Sequence, residues 1–306
     1  MDNVVRLTEF SFEVSSILRL RDLHQLVQVD HFDFAASHVL SKNVSLALTI
    51  FLPASEVEKP SYVIDAPHKS PAITEIIGNR KSLNEFLHSR IQFLYFKPAQ
   101  AISDAEKARK VIIRGGFDEI FDRSSINTIS IKFSNVDLNA IDLSRLVPTN
   151  LPSLIIENCS PITPTSLFIP WFKRQLQFNR LEDLIVSNTP ATVPLGLEAD
   201  IIQFYLQNRE LNWVHSKSES NFLAINREFM KKLAEAWMTY DHHGKRCCLL
   251  HVEHPDWGIE DLDKFKSVVY DNGTGGYERW EKRNGNYVKI IAKRNFGEME
   301  FNVNWS

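Results

Sequence analysis

Six side chains that could bind a metal ion lie close together in this 306-residue chain: His242, His243, Cys247, Cys248, His251 and His254. Imidazole and thiolate are good ligands for zinc. Their spacing fits no common zinc finger, however, and in an extended segment His251 and His254 would point to opposite faces. We therefore expect the two cysteines to fill core and turn positions, and we expect no metal ion or other cofactor. A metal-binding enzyme that uses this cluster stays open as an alternative.

The other motifs that could carry chemistry lack the context they need. Gly273, Gly275 and Gly276 do not follow a strand–turn–helix pattern, so they favour a turn before a β-hairpin at Asn284-Gly285 rather than a phosphate-binding loop. No HExxH zinc motif, G-x-S-x-G nucleophile motif or Walker lysine occurs in the chain. We therefore predict that the protein is not an enzyme.

Composition narrows the class of protein further. Hydrophobic residues make up 43% and charged residues 24%, which is typical of a globular chain. A net charge of −3 gives no reason to expect nucleic acid or an anionic membrane as a partner. The first residues do not form a signal peptide, and no stretch reaches the ~18 apolar residues that cross a bilayer. Together with three unpatterned cysteines, these features predict an intracellular protein, cytoplasmic or nuclear.

One phrase occurs twice, as LPSLIIENCSPI from Leu151 and as LEDLIVSNTPAT from Leu181. In such a repeat the alternating apolar residues of a short strand point into a core, and a small or polar residue at the ninth position bonds the turning backbone. Weaker copies extend the pattern, so that the predicted copies start at positions 91, 126, 151, 181 and 208. Amphipathic segments between them predict helices, the first opening with a Ser103–Glu106 capping box. This alternation predicts parallel strands with helices packed on one side, in an α/β fold. Accidental similarity within an ordinary α/β domain stays open as an alternative.

The first forty residues resemble an F-box, a helical domain whose pattern they match without gaps at Glu9, Phe10, Val14, Leu18, Asp22, Leu23, Leu26 and Val29. They depart from it at Arg6 and Leu7, which stand where Leu-Pro would be, and at Phe32, an aromatic residue that comes one position early. The same apolar spacing is also typical of a helical cap on a repeat array.

A second segment is similar to the F-box associated domain of nematode F-box proteins, with matches at Phe168, Trp171, Phe172, Leu181, Glu182 and Leu184. The two resemblances together imply a substrate receptor, which binds the adaptor of a cullin-based ubiquitin ligase and holds a target protein near the ubiquitin-loaded enzyme. The predicted fold class is accordingly α/β: a short helical F-box (1–45), an irregular leucine-rich-repeat-like or F-box associated solenoid (46–254) and an antiparallel β cap (255–306). A scaffold outside the ligase system, with a degenerate F-box, is the alternative.

Two sets of contact residues follow. The resemblance assigns adaptor binding to Phe10, Val14, Leu18, Leu23, Leu26, Val29 and Phe32. Strand parity assigns target binding to side chains that point away from the helices: Tyr95, Lys132, Ile155, Glu157, Ile185, Ser187, Asn212 and Val214. The alternative is that another segment, such as the C-terminal hairpin, covers this face.

Overall fold

A computed structural model describes residues 45–54, 58–65, 90–114, 117–208, 211, 213–216, 221–223, 225–226, 228–229, 231–233, 236, 247–253, 270–271, 276–283, 286–295 and 298–305. The chain divides into two compact units, residues 1–128 and 129–306. None of the helices within the described ranges is long and apolar enough to cross a membrane.

The first unit contains a small mixed sheet built from β1 (Ser45–Leu52), β2 (Ser61–Asp65), β3 (Arg90–Pro98) and β4 (Val111–Ile112). Its strand order is β3-β1-β2-β4, with β1 parallel to β3 and antiparallel to β2, which pairs antiparallel with β4. Among the described residues of this unit, two helices accompany the sheet, α1 (Asp104–Arg109) and α2 (Asp118–Asn127). The expected capping box at Ser103 and Glu106 opens α1. The fully buried rings of Phe96 and Phe121 contribute to the core of this unit.

The second unit begins with four parallel strands separated by crossovers: β5 (Ser130–Ser134), β6 (Ser153–Glu157), β7 (Asp183–Ser187) and β8 (Trp213–Ser216). Helix α3 (Phe168–Phe178) joins β6 to β7, and α4 (Glu198–Gln207) joins β7 to β8. The remaining strands are β9 (Cys247–Glu253), β10 (Tyr270–Asp271), β11 (Gly276–Arg283), β12 (Asn286–Asn295) and β13 (Glu298–Trp305). Their order is β10-β11-β12-β13-β9-β8-β7-β6-β5, parallel from β5 to β9 and antiparallel beyond.

The predicted fold class, a helical F-box followed by a leucine-rich-repeat-like solenoid, is therefore wrong. Strand structure begins at Ser45, and both units contain mixed sheets with few helices among the described residues. The physical reason is that the repeated phrase specifies local strands and crossovers but not what pairs with the outer strands. Antiparallel β1 and β2 and the antiparallel strands from β9 onward come from segments that do not carry the phrase. Residues 1–44, which include the predicted F-box, lie outside the described residues.

Aromatic side chains of α3 form the centre of the core in the second unit. The ring of Phe133 on β5 packs edge-on against Phe168 and Trp171, at centroid distances of 6.2 Å and 5.9 Å. Phe222 packs edge-on against Phe168 and Phe172. All five rings are buried, and the indole Nε1 of Trp171 donates a hydrogen bond to the carbonyl of Leu146. The apolar face of α3 thus holds one side of the parallel strands.

The register at β8 differs from the predicted one. Leu154 pairs with Leu184, and Leu184 pairs with Val214, which is buried. The last copy of the phrase therefore starts at Leu211 and not at 208, because Asn208 caps α4 and donates its side-chain amide to the carbonyl of Leu181.

Candidate binding face

The parallel strands β5–β8 have two faces of different character, because side chains alternate along each strand. The face toward α3 carries Ile131, Phe133, Leu154, Ile156, Leu184, Val186 and Val214, all buried. The other is called here the ladder face, and it consists of Ser130, Lys132, Ser134, Ser153, Ile155, Glu157, Asp183, Ile185, Ser187, Trp213 and His215. Most of these side chains are half-buried, while Ser187 and His215 are buried.

Strand register arranges the ladder face in rows. One row runs Lys132, Ile155, Ile185 and His215 across the four strands, and the row before it runs Ser130, Ser153, Asp183 and Trp213. Because neighbouring strands lie roughly 5 Å apart, side chains within a row contact each other. The central row therefore brings two apolar side chains together at the middle of a polar surface.

Asparagines end three of these strands at the same level. Asn135, Asn158 and Asn188 follow β5, β6 and β7 directly, and each has a positive φ, in the left-handed region that asparagine tolerates better than most residues. The backbone N–H of Asn135 donates to the carbonyl of Glu157, and that of Asn158 to the carbonyl of Ser187, both at 2.9 Å. The side chain of Asn188 also donates to Asn158 Oδ1 at 3.0 Å. These turns hold the carboxyl ends of the strands, and with them the ladder face, in a fixed register.

A buried polar network lies behind these turns. The side chain of Asn221 donates to the carbonyl of Val186 and to Ser216 Oγ, both at 3.1 Å, and its Oδ1 accepts from the backbone N–H of Thr189. Thr189 Oγ1 in turn accepts from the backbone N–H of Cys159 and donates to the carbonyl of Ser187. The ninth position of the phrase thus bonds the turning backbone in the copy that carries threonine.

Cys159 occupies the same ninth position in the other copy. Burial raises the pKa of its thiol to about 11, so the thiol is protonated and unreactive at neutral pH. Its role is structural, and it is no candidate for a nucleophile.

Charges on the ladder face are distributed unevenly. Lys132 Nζ and Glu157 Oε2 form an ion pair at 2.7 Å, and both side chains are about two-thirds buried, with exposed fractions of 33% and 27%. Asp183 has no such partner: among the described residues no hydrogen bond or ion pair reaches its carboxylate, and burial raises its pKa. The Trp213 ring, opposite Asp183 in register, stacks on His215 with centroids 5.1 Å apart.

The structure brings together five of the eight predicted target-binding residues. Lys132, Ile155, Glu157 and Ile185 share the ladder face, and Ser187 lies at its end but is buried. The placement of Val214 on this face is wrong, because the register turns it into the core.

The remaining predicted contact residues lie elsewhere. Tyr95 belongs to the other unit, where its ring stacks on Phe93 at 6.3 Å. Asn212 and all the predicted adaptor-binding residues lie outside the described residues.

Sequence reasoning missed Asp183, Trp213 and His215 on this face. Asp183 had a usable signal, since it lies two positions before Ile185 and must share its face. Trp213 and His215 were missed because the register of β8 was predicted wrongly.

The cysteine and histidine cluster lies only partly within the described residues. The strand β9 includes Cys247, Cys248 and His251, whereas His242, His243 and His254 lie outside the described residues. No group of three or more potential metal ligands occurs among the residues that the structure describes.

Comparison of the chain with protein-family models, with curated proteins and with solved structures gives no match.

Proposed function

We propose that this protein is the substrate-recognition subunit of a cullin-based ubiquitin ligase, and that the ladder face binds its target protein. The observation that supports target binding is the central row of the ladder face. There the half-buried Ile155 and Ile185 lie side by side, flanked by the Lys132–Glu157 ion pair and by Asp183. Apolar side chains surrounded by polar and charged ones are typical of the surfaces at which proteins bind each other.

The adaptor-binding half of the proposal rests on the sequence of residues 6–45. Matches to the F-box pattern at Leu18, Leu23, Leu26 and Val29 are the apolar residues that such a domain buries against its adaptor. In this arrangement the protein carries out no bond chemistry itself. It raises the effective concentration of a target near the enzyme that transfers ubiquitin.

Binding to a purified ligase adaptor tests the proposal. We expect the full chain to be captured, and Leu23→Ala combined with Val29→Ala to weaken capture by about tenfold or more, because truncated apolar anchors of an interface cost about 1–2 kcal/mol each. Gln25→Ala combined with Gln28→Ala, polar positions of the same segment outside the pattern, is the matched control and should bind like the wild type.

Two outcomes would contradict the proposal. Capture of the double-alanine variant at wild-type strength would remove the F-box interpretation. Failure of the wild type to bind the adaptor would favour the alternative of an interaction scaffold outside the ligase system.

A second pair of variants tests the ladder face within the same assay. Ile155→Arg combined with Ile185→Arg should leave adaptor capture unchanged, because both residues are on the half-buried face of the second unit. The same variant should prevent ubiquitination of targets recovered with the wild-type ligase. Circular dichroism must show that the variant is folded, and loss of folding would show that these positions belong to the core.

A further inference from the structure

Asp183 is the least compensated charge on the ladder face. Its side chain is half-buried on β7, and no hydrogen bond or ion pair among the described residues reaches its carboxylate. Burial raises the pKa of this carboxyl group, as expected for a charge that loses water and gains no partner. The neighbouring charges do not compensate the Asp183 carboxylate, because Lys132 and Glu157 form an ion pair with each other at 2.7 Å. A positively charged group of a binding partner would therefore compensate the Asp183 carboxylate.

The residues around Asp183 indicate which kind of positively charged group would fit there. In register, Ser153 lies on one side of it and the half-buried ring of Trp213 on the other, and Ile185 is the next residue of β7 on the same face. A carboxylate beside an aromatic ring suits an ammonium or guanidinium group, because the carboxylate supplies the charge and the ring supplies apolar and cation–π contact. The adjacent Ile155 and Ile185 suit an apolar side chain next to that cation.

We infer that the ladder face binds a peptide segment that places a lysine or arginine against Asp183 and an apolar side chain against Ile155 and Ile185. This inference rests on the proposed function and specifies the chemistry of the target. It follows from charge complementarity, since an acidic segment would add a second unpaired negative charge beside a carboxylate that is already poorly hydrated.

Peptide selection tests the inference without a known target. A displayed library of random dodecapeptides is selected on the purified full-length protein, and enriched peptides are synthesised for measurement of Kd by fluorescence anisotropy. We expect the enriched sequences to share a lysine or arginine next to an apolar residue. Asp183→Asn should weaken their binding about tenfold, which is the size expected for a lost charge-assisted hydrogen bond.

The matched control is Glu182→Gln. Glu182 is the exposed neighbour of Asp183, so its replacement makes the same change in net charge without touching the ladder face. We expect less than about a twofold change in Kd for this variant, because an exposed charge is screened by solvent. Replacing the basic residue of the peptide by norleucine should weaken binding to the wild type but not to Asp183→Asn, and this double-mutant cycle identifies the pair directly.

Three results would overturn the inference: no enriched peptide, enriched peptides without a basic residue, or equal binding to wild type and Asp183→Asn. Their meaning for the proposed function differs. Peptides that bind Asp183→Asn normally but are lost with Ile155→Arg and Ile185→Arg would preserve the ladder face as the target site and reject only its charge preference. Adaptor capture is independent of all three results.

Discussion

The two faces of strands β5–β8 are made by alternate residues of the same short segments, yet they follow different rules. The face toward α3 is buried and, apart from Ser216, apolar, and aromatic rings of the helix pack against it. On the ladder face, serines, an ion pair, the Asp183 carboxylate, which has no partner among the described residues, and two isoleucines share a half-buried surface. This contrast is what the proposed binding role of the ladder face predicts, and four sets of substitutions examine the two faces and the turns and network that hold them.

The largest expected effect compares two neighbours on β6. Ile156→Asp places a charge in the fully buried face, and we expect the free energy of unfolding of the second unit to fall by about 4 kcal/mol or more. Ile155→Asp, one residue away on the ladder face, should cost about 1 kcal/mol or less. Urea denaturation of both variants measures the difference, and equal losses would mean that both faces are core.

The next effect concerns the polar network behind the turns. Asn221→Ala removes three hydrogen bonds and leaves the N–H of Thr189 and the carbonyl of Val186 buried without that partner, so we expect a loss of about 3 kcal/mol in unfolding free energy. Asn226→Ala is the control. Asn226 is exposed and accepts one bond, from the backbone N–H of Phe229, so its loss should be about 1 kcal/mol. Similar urea midpoints for the two variants would show that the network contributes little.

A smaller effect tests the asparagine turns that align the strands. Asn158 has a φ of 52°, so Asn158→Ala should be less stable than Asn158→Gly by about 1 kcal/mol, because alanine is strained in the left-handed region and glycine is not. At the exposed Ser160, which lacks a positive φ, the order should reverse. Thermal denaturation of the four variants gives both orders, and alanine more stable than glycine at both positions would contradict the role of the turn.

The smallest effect has the opposite sign to the others. The pKa of Asp183 is raised in the folded state, so the stability contributed by its protonated form is present at low pH and is lost as the pH rises through the folded pKa. At pH 7 the charged carboxylate is therefore a net cost, and Asp183→Asn should be as stable as the wild type or more stable, by less than about 1 kcal/mol. The advantage should shrink as the pH is lowered toward about 4.

The control for Asp183 is a carboxylate that does have a partner. Asp200 forms an ion pair with Lys173 at 2.8 Å, so Asp200→Asn should lose a little stability at pH 7 where Asp183→Asn does not. Urea denaturation across this pH range checks both signs. A clear loss of stability for Asp183→Asn would mean that the carboxylate stabilises the fold, which would contradict its proposed role in binding a partner.

Short-range patterns were sufficient to predict the central strands. Leu154 with Ile156 and Leu184 with Val186 are inward pairs, as the repeated phrase predicted, and the parallel pairing of β6 with β7 sets them side by side. At β5 the predicted start was two residues early, which preserves the side on which each residue points. The copy that starts at 126 turns Ile129 and Ile131 inward; Ile131 is buried as that copy predicts, whereas Ile129, which precedes β5, is exposed.

At β8 the predicted start was three residues early, and an odd shift exchanges the two faces of a strand. Val214 was therefore assigned to the ladder face, and Trp213 and His215 were missed. The cause is a contact between distant segments. Asn208, the residue that caps α4, donates a hydrogen bond to the carbonyl of Leu181. No local spacing reveals such a bond.

The prediction of the overall fold was wrong for the same physical reason, contacts between distant segments, on a larger scale. Strands β1 and β9 owe their positions to pairing with segments far along the chain, whereas β11 and β12 pair antiparallel on either side of Asn284-Gly285, as the sequence predicted. Apolar alternation marks such segments as strands but does not select their partners. The sequence likewise could not predict whether Asp183 has an ion-pair partner, because that depends on the residues beside it on β6 and β8.

The buried thiol at the turn after β6 gives the molecule an internal reporter. Burial raises the pKa of the Cys159 thiol to about 11, which disfavours the reactive thiolate at pH 7, and the side chain is 4% exposed. Alkylating reagents can therefore modify it only after the turn has opened. With Cys247 and Cys248 replaced by serine, the labelling rate of Cys159 measures how often this end of the strands separates from its neighbours. A ligand on the ladder face that holds β6 and β7 together would slow that rate, so binding could be detected without any label on the ligand.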